Sequence, residues 1–163
     1  CFRLDLVRLT LHQSLQATER GAMQVREGMS DVVVTVGPGH TLREAARLMS
    51  GRRVGAAVVL DPDAPGPRII TERDILDAVG AGLDVDRELV GEHLTDNVVY
   101  ASPDWSLEEA AAAMVRGSFR HLIVLESAEI VGVLSVRDVI RCWTEDGASC
   151  EVPSADGKVR SAA

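Results

Sequence analysis

A chain of 163 residues can bury one domain-sized core, or two small halves that share one. Its 46% hydrophobic and 26% charged residues are ordinary for a globular protein, and a net charge of −8 argues against a broad nucleic-acid surface, which needs a basic stripe. No run approaches the roughly 18 apolar residues of a membrane span, and three cysteines without a CxxC and four scattered histidines form neither a disulfide framework nor a metal-ligand cluster. The expected setting is therefore reducing and cytoplasmic.

Residues 1–22 open with "CFRLDLVRLTLHQSLQ", which alternates charge with leucine and lacks the apolar segment of a signal peptide. They are expected to be an N-terminal extension, helical or poorly ordered. From Met23 the chain becomes regular. A first strand is expected over Val32 to Val36, followed by "PGHT", whose Thr41 is a good helix N-cap. Glu44 stands three residues later, the spacing of a capping box. An Ala-rich helix should then end near Gly51, where glycine can take the left-handed conformation. "AAVVL" and "RIIT" read as strands buried on both faces, and a helix should begin near Asp74.

The same order then returns. A strand over Val98 to Ala101 leads to the cap Ser106 with Glu109, an Ala-rich helix ending near Gly117, the strands "HLIVL" and "VGVLS", and a helix near Asp138. Residues 147–163, rich in Gly, Ser, Ala and charge, are expected to be a disordered tail.

These two runs are copies. Residues 29–49 lie over 94–114 at an offset of 65, with Glu44, Ala45, Ala46 and Met49 on Glu109, Ala110, Ala111 and Met114. After a one-residue shift in the "PDAPGP" loop, Thr71 and Asp74 meet Ser135 and Asp138. The fold class is thus α/β (α+β), with two tandem β-α-β-β-α units at 23–82 and 83–146. A unit of roughly 55 residues buries too little surface alone, so the two should pack sheet to sheet.

The repeated junctions "TERD" and "SVRD" carry the chemistry. Asp74 and Asp138 at helix starts have a structural reading as caps or helix-dipole partners. They also offer paired acceptor oxygens suited to the vicinal hydroxyls of a ribose, with Thr71 and Ser135 as hydroxyl donors and a helix N-terminus favourable to anions.

With both signatures in register over residues 25 to 141, the chain resembles the tandem CBS (cystathionine β-synthase) domain family, the Bateman module. The resemblance implies a stand-alone regulatory module that binds an adenosine-containing ligand (AMP, ADP, ATP or S-adenosylmethionine) in clefts between the units. It further implies a flat homodimer and signalling to a regulated protein partner. By resemblance, the cleft of Asp138 borrows Val54, Gly55 and Ala56, and that of Asp74 borrows Phe119, Arg120 and His121. Val34 and Val99 would offer backbone hydrogen bonds to an adenine edge. Arg120 and His121 suit phosphate, so the Asp74 cleft is expected to be the stronger.

The chain departs from the family pattern at Val58 and Ile123, where many relatives have proline, and at Arg68, where Gly132 in the other unit keeps a glycine. Arg73 and Arg137 are expected to face solvent or pair with carboxylates. Neither a Walker or Rossmann phosphate loop nor a hydroxyl-base arrangement is legible, so the residues read as binding groups rather than an enzyme. The rival reading is a scaffold whose clefts are vestigial.

Overall fold

The computed structural model describes residues 22–94 and 98–145, together with the backbone of two short strands farther on. The expectation for residues 1–22 therefore lies almost wholly outside the described residues. Of the expected tail, only Val152–Pro153 and Val159–Arg160 are described, as an antiparallel pair.

The first helical turn, α1 (Val25–Gly28), precedes strand β1 (Thr35–Val36), helix α2 (Leu42–Arg52), strands β2 (Ala56–Val59) and β3 (Arg68–Thr71), and helix α3 (Glu72–Gly80). A 3-10 turn at Val90–Glu92 opens the second half. It leads to β4 (Tyr100–Ala101), α4 (Leu107–Gly117), β5 (His121–Glu126), β6 (Glu129–Ser135) and α5 (Val136–Glu145). Each half is a three-stranded sheet in sequence order, the first pair parallel and the second antiparallel. The extended first strands contract to two residues each, because only Thr35–Val36 and Tyr100–Ala101 enter the ladders.

The caps form as their spacing dictates. Thr41 accepts from the Glu44 amide while the Glu44 carboxylate accepts from the Thr41 amide at 2.8 Å, and Ser106 and Glu109 repeat the exchange. The helix ends differ from expectation. α2 and α4 run through or past Gly51 and Gly117, and the left-handed residues are Arg53 (φ 56°) and Ser118 (φ 55°). Position in the last turn decides this: the Arg53 amide reaches the Met49 and Ser50 carbonyls, and the Ser118 amide those of Met114 and Val115. The closing helices also begin two residues early, at Glu72 and Val136, so each aspartate is third in its helix rather than first.

Among the described residues, three apolar clusters form the core. Ala56, Val58, Ile69 and Ile123 are buried between the two sheets, with Val33, Val98, Leu125, Ile130 and Val133 around them. Val58 and Ile123, the two departures from proline, are thus sheet-to-sheet core and are 0% exposed. The other two clusters lie between each sheet and its helices, and each borrows from the opposite half. Val25 of α1 is buried with Leu107, Leu122, Leu134 and Val139 of the second unit. Val90, with Val85 and Leu94 packed nearby, completes the first unit's cluster around Leu42 and Ile70. Backbone bonds fix the exchange: Val25 N to Trp105 O at 2.8 Å, and Leu42 N to Glu88 O at 2.9 Å. The halves are consecutive in sequence but interlocked in space.

Candidate functional site

A cleft of about 950 Å³ opens where the two units meet. The second unit supplies its floor. β5 and β6 pair so that His121 lies directly opposite Ser135, and the strand-to-helix step then places Asp138 in the first turn of α5. The Asp138 carboxylate accepts from the Ser135 amide at 3.0 Å and from the Ser135 hydroxyl through the same Oδ2, while Oδ1 lies 3.5 Å from Arg141. Thr71 and Asp74 repeat this capping box at 2.7 Å. The S/T-x-x-D signature is therefore first a helix start, and any ligand shares groups that already hold the backbone.

Two of the first three amides of α5 are engaged as well: Val136 N donates to Arg120 O at 3.0 Å and Asp138 N to Ser135 Oγ at 3.3 Å. In the first unit, Glu72 N donates to Gly55 O at 3.0 Å in the equivalent place. The repeat thus holds down to single hydrogen bonds.

The first unit supplies the opposite wall: Val34, Val54, Gly55 and Ala56, then Glu72 and Ile75 from the start of α3. The end of α2 adds Met49, Ser50 and Arg53. Space at Gly55 is tight: a Cβ on it would stand 3.3 Å from both Glu72 Oε2 and His121 Nε2. Its bareness admits the carboxylate of one unit and the imidazole of the other. Arg120 completes the crossing, with its guanidinium 3.3 Å from Glu72 Oε1.

The electrostatics of the cleft run against those of the chain. Arg53, Arg120 and Arg137 line it against Glu72 and Asp138, a local cationic excess in a molecule of net charge −8. Burial, and then the neighbouring Arg120, push the His121 imidazole below its ordinary range, with Glu72 and Asp138 opposing in part. It is a neutral hydrogen-bonding group near pH 7.

The cleft therefore gathers Val34, Val54, Gly55, Ala56, Arg120, His121, Ser135 and Asp138, and leaves out Thr71, Asp74, Val99 and Phe119. Arg120 and His121, expected beside Asp74, line the cleft that holds Asp138, next to the Glu72 carboxylate and the space at Gly55. Phe119 packs onto the second unit's helix-side core instead. Asp74 borders a smaller hollow of about 250 Å³ with Asp77, Leu83 and His93. Arg137 joins the cleft, where the sequence pointed to solvent or a carboxylate partner. Glu72 and Arg53 were missed. Glu72 was legible as the second residue of "TERD", but its partner came from the other unit. Arg53 follows a helix end with no motif around it.

Glu88, Glu92 and His93 also converge, with His93 Nε2 2.8 Å from Glu88 Oε2. The sequence spacing gave no sign of this group, because the 3-10 turn brings it together.

Comparison with known proteins agrees with the architecture. The family model for the CBS domain matches residues 23–81 and 90–145. The CBS domain-containing protein CBSCBSPB3 of Arabidopsis thaliana is 32% identical over 149 residues, covering 91% of this chain and 26% of its own length. The chain thus spans about a quarter of that relative. YhcV of Bacillus subtilis is 32% identical, with 71% of this chain and 81% of its own covered. Among solved structures, a CBS domain protein of Pyrobaculum aerophilum complexed with AMP superposes with a TM-score of 0.65 at 33% identity, covering 71% of this chain and 89% of that one. A CBS-domain-containing protein of Agrobacterium tumefaciens gives a TM-score of 0.68 at 31% identity, covering 76% and 95%.

Proposed function

This chain belongs to the CBS domain family, and on that premise we propose that its larger cleft is a regulatory site for an adenosine-containing nucleotide, with AMP the first candidate. One observation carries the reading. The cleft joins a ribose-suited pair, Ser135 and Asp138, to three guanidinium groups across a wall opened by Gly55 and Ala56. The AMP complex of the Pyrobaculum relative supports the ligand class. ADP, ATP and S-adenosylmethionine are the further candidates.

The groups bind rather than react. The Ser135 hydroxyl donates to Asp138 within a cap, which gives it an orienting role in place of a nucleophile's. Because both units line the cleft, a bound ligand bridges them and favours the arrangement in which the cleft is best formed. That shift is the signal passed to a protein partner. Homodimerisation belongs to the same proposal: Leu76 and Ile140, equivalent in the repeat and 65% and 53% exposed, offer matching apolar positions on α3 and α5.

Calorimetry and thermal shift with a nucleotide panel test the site, and native mass spectrometry of the same sample reads oligomeric state and carried-over ligand. A ligand that binds only the folded state raises Tm, by about 2.7 kcal/mol of stability at a hundredfold excess over Kd. The gain should fall in Arg137→Ala. No shift with any nucleotide at millimolar concentration would favour the scaffold reading.

A further inference from the structure

Glu72 stands in the cleft as a carboxylate, and it comes from the opposite unit to the guanidinium it engages. Its Oε1 is 3.3 Å from Arg120, and the two side chains are 60% and 48% exposed. Such a solvated pair is weak and exchangeable, and it falls in the class whose energy is commonly near zero. Glu72 Oε2 also approaches the Gly55 position, beside His121 Nε2. The carboxylate therefore sits at the meeting point of the two units, among the groups best able to receive an anion.

We infer that Glu72 sets the charge preference of the cleft, by occupying Arg120 in the empty state and yielding it only to an anionic ligand. This rests on the nucleotide reading above and goes beyond it. Each phosphate that reaches Arg120 displaces a carboxylate and then lies near it, so the gain from Arg120 is partly cancelled. The cleft consequently discriminates against high negative charge, and a nucleoside monophosphate is favoured over a triphosphate.

Arg53 and Arg137 line the same cleft with no carboxylate within ion-pair distance among the described residues. They are the guanidiniums a first phosphate meets unopposed. Arg120 is the one held back.

The test is Glu72→Gln, which removes the charge at an exposed first-turn position and keeps the side-chain size. Calorimetry on the full chain should show affinity for AMP rising about threefold to tenfold, and for ATP by more, with adenosine unchanged. The gain should shrink at high salt and in the Arg120→Ala background, where no guanidinium remains to be released. Equal gains for adenosine and AMP, an undiminished gain without Arg120, or no gain at all would each overturn the role of Glu72 while leaving nucleotide binding intact. Wild-type protein that binds neither AMP nor adenosine at millimolar concentration would overturn the site itself. A melting temperature for the variant within a few degrees of wild type separates these outcomes from loss of fold.

Discussion

At the residue scale, the cleft depends on what a small side chain admits. Gly55 has no Cβ, and the room this leaves is shared by Glu72 and His121 from different units. His121 is half-buried beside a guanidinium, and both its loss of water and that charge disfavour its protonation. The consequence for stability has a definite sign. Above the ordinary histidine value near 6.5 the ring is neutral whether the chain is folded or unfolded, and it adds no pH dependence. As pH falls below that value, the unfolded chain takes up a proton that the folded chain resists, so stability is lost until the pH passes the lower folded value. Melting curves between pH 7 and 5 should fall less steeply for His121→Gln than for wild type. Identical slopes would show that the ring protonates as freely in the fold as outside it.

At the element scale, the helix starts were legible and the helix ends were not. Thr41 with Glu44, and Ser106 with Glu109, form their capping boxes because the exchange is local and needs only a four-residue spacing. The ends depend on where the final turn closes, which follows from how far each helix packs along its sheet. That moved the left-handed position off Gly51 and Gly117 and onto Arg53 and Ser118. A non-glycine residue there carries a steric cost. Ser118→Gly should therefore stabilise the protein by about 1 kcal/mol, less the added unfolded-state entropy of glycine. Urea denaturation gives the measurement, and a variant less stable than wild type would mean that the Ser118 side chain makes a contact outweighing the strain. Arg53→Gly is the less clean choice, because Arg53 lines the cleft.

At the scale of the whole molecule, the two units are interlocked. Val25 belongs to the first unit in sequence but is fully buried in the second unit's core, and Val90, from the second unit's stretch of chain, is buried in the first unit's core. Val25→Ala should cost about 1 to 3 kcal/mol. Its mark should also be misplaced relative to sequence: hydrogen exchange should quicken in β5, β6 and α5 more than in β2 and β3. Faster exchange confined to the first sheet would show that α1 serves the unit it begins. The close approach of α1 to α5 points the same way, because a Cβ on Gly28 would stand 2.9 Å from Cys142 Sγ. The interlock gives the proposed ligand a route to both helix layers, since each layer already contains residues of the other half.

The sequence by itself determined the duplication, the β-α-β-β-α order, the starts of α2 to α5 to within two residues, and the burial of the central strands; it gave no sign of α1. All of these follow from periodicity and spacing within a few dozen residues. The duplicated junction also singled out Ser135 and Asp138, and the family resemblance pointed to Gly55 and Ala56; all four line the cleft. Only the tertiary structure shows which of these residues share a cleft, where a guanidinium from one unit meets a carboxylate from the other beside Gly55. An internal repeat states that two sites are equivalent by descent. It cannot state how their unequal side chains divide the volume between them, because that division is settled by contacts between residues far apart in the chain.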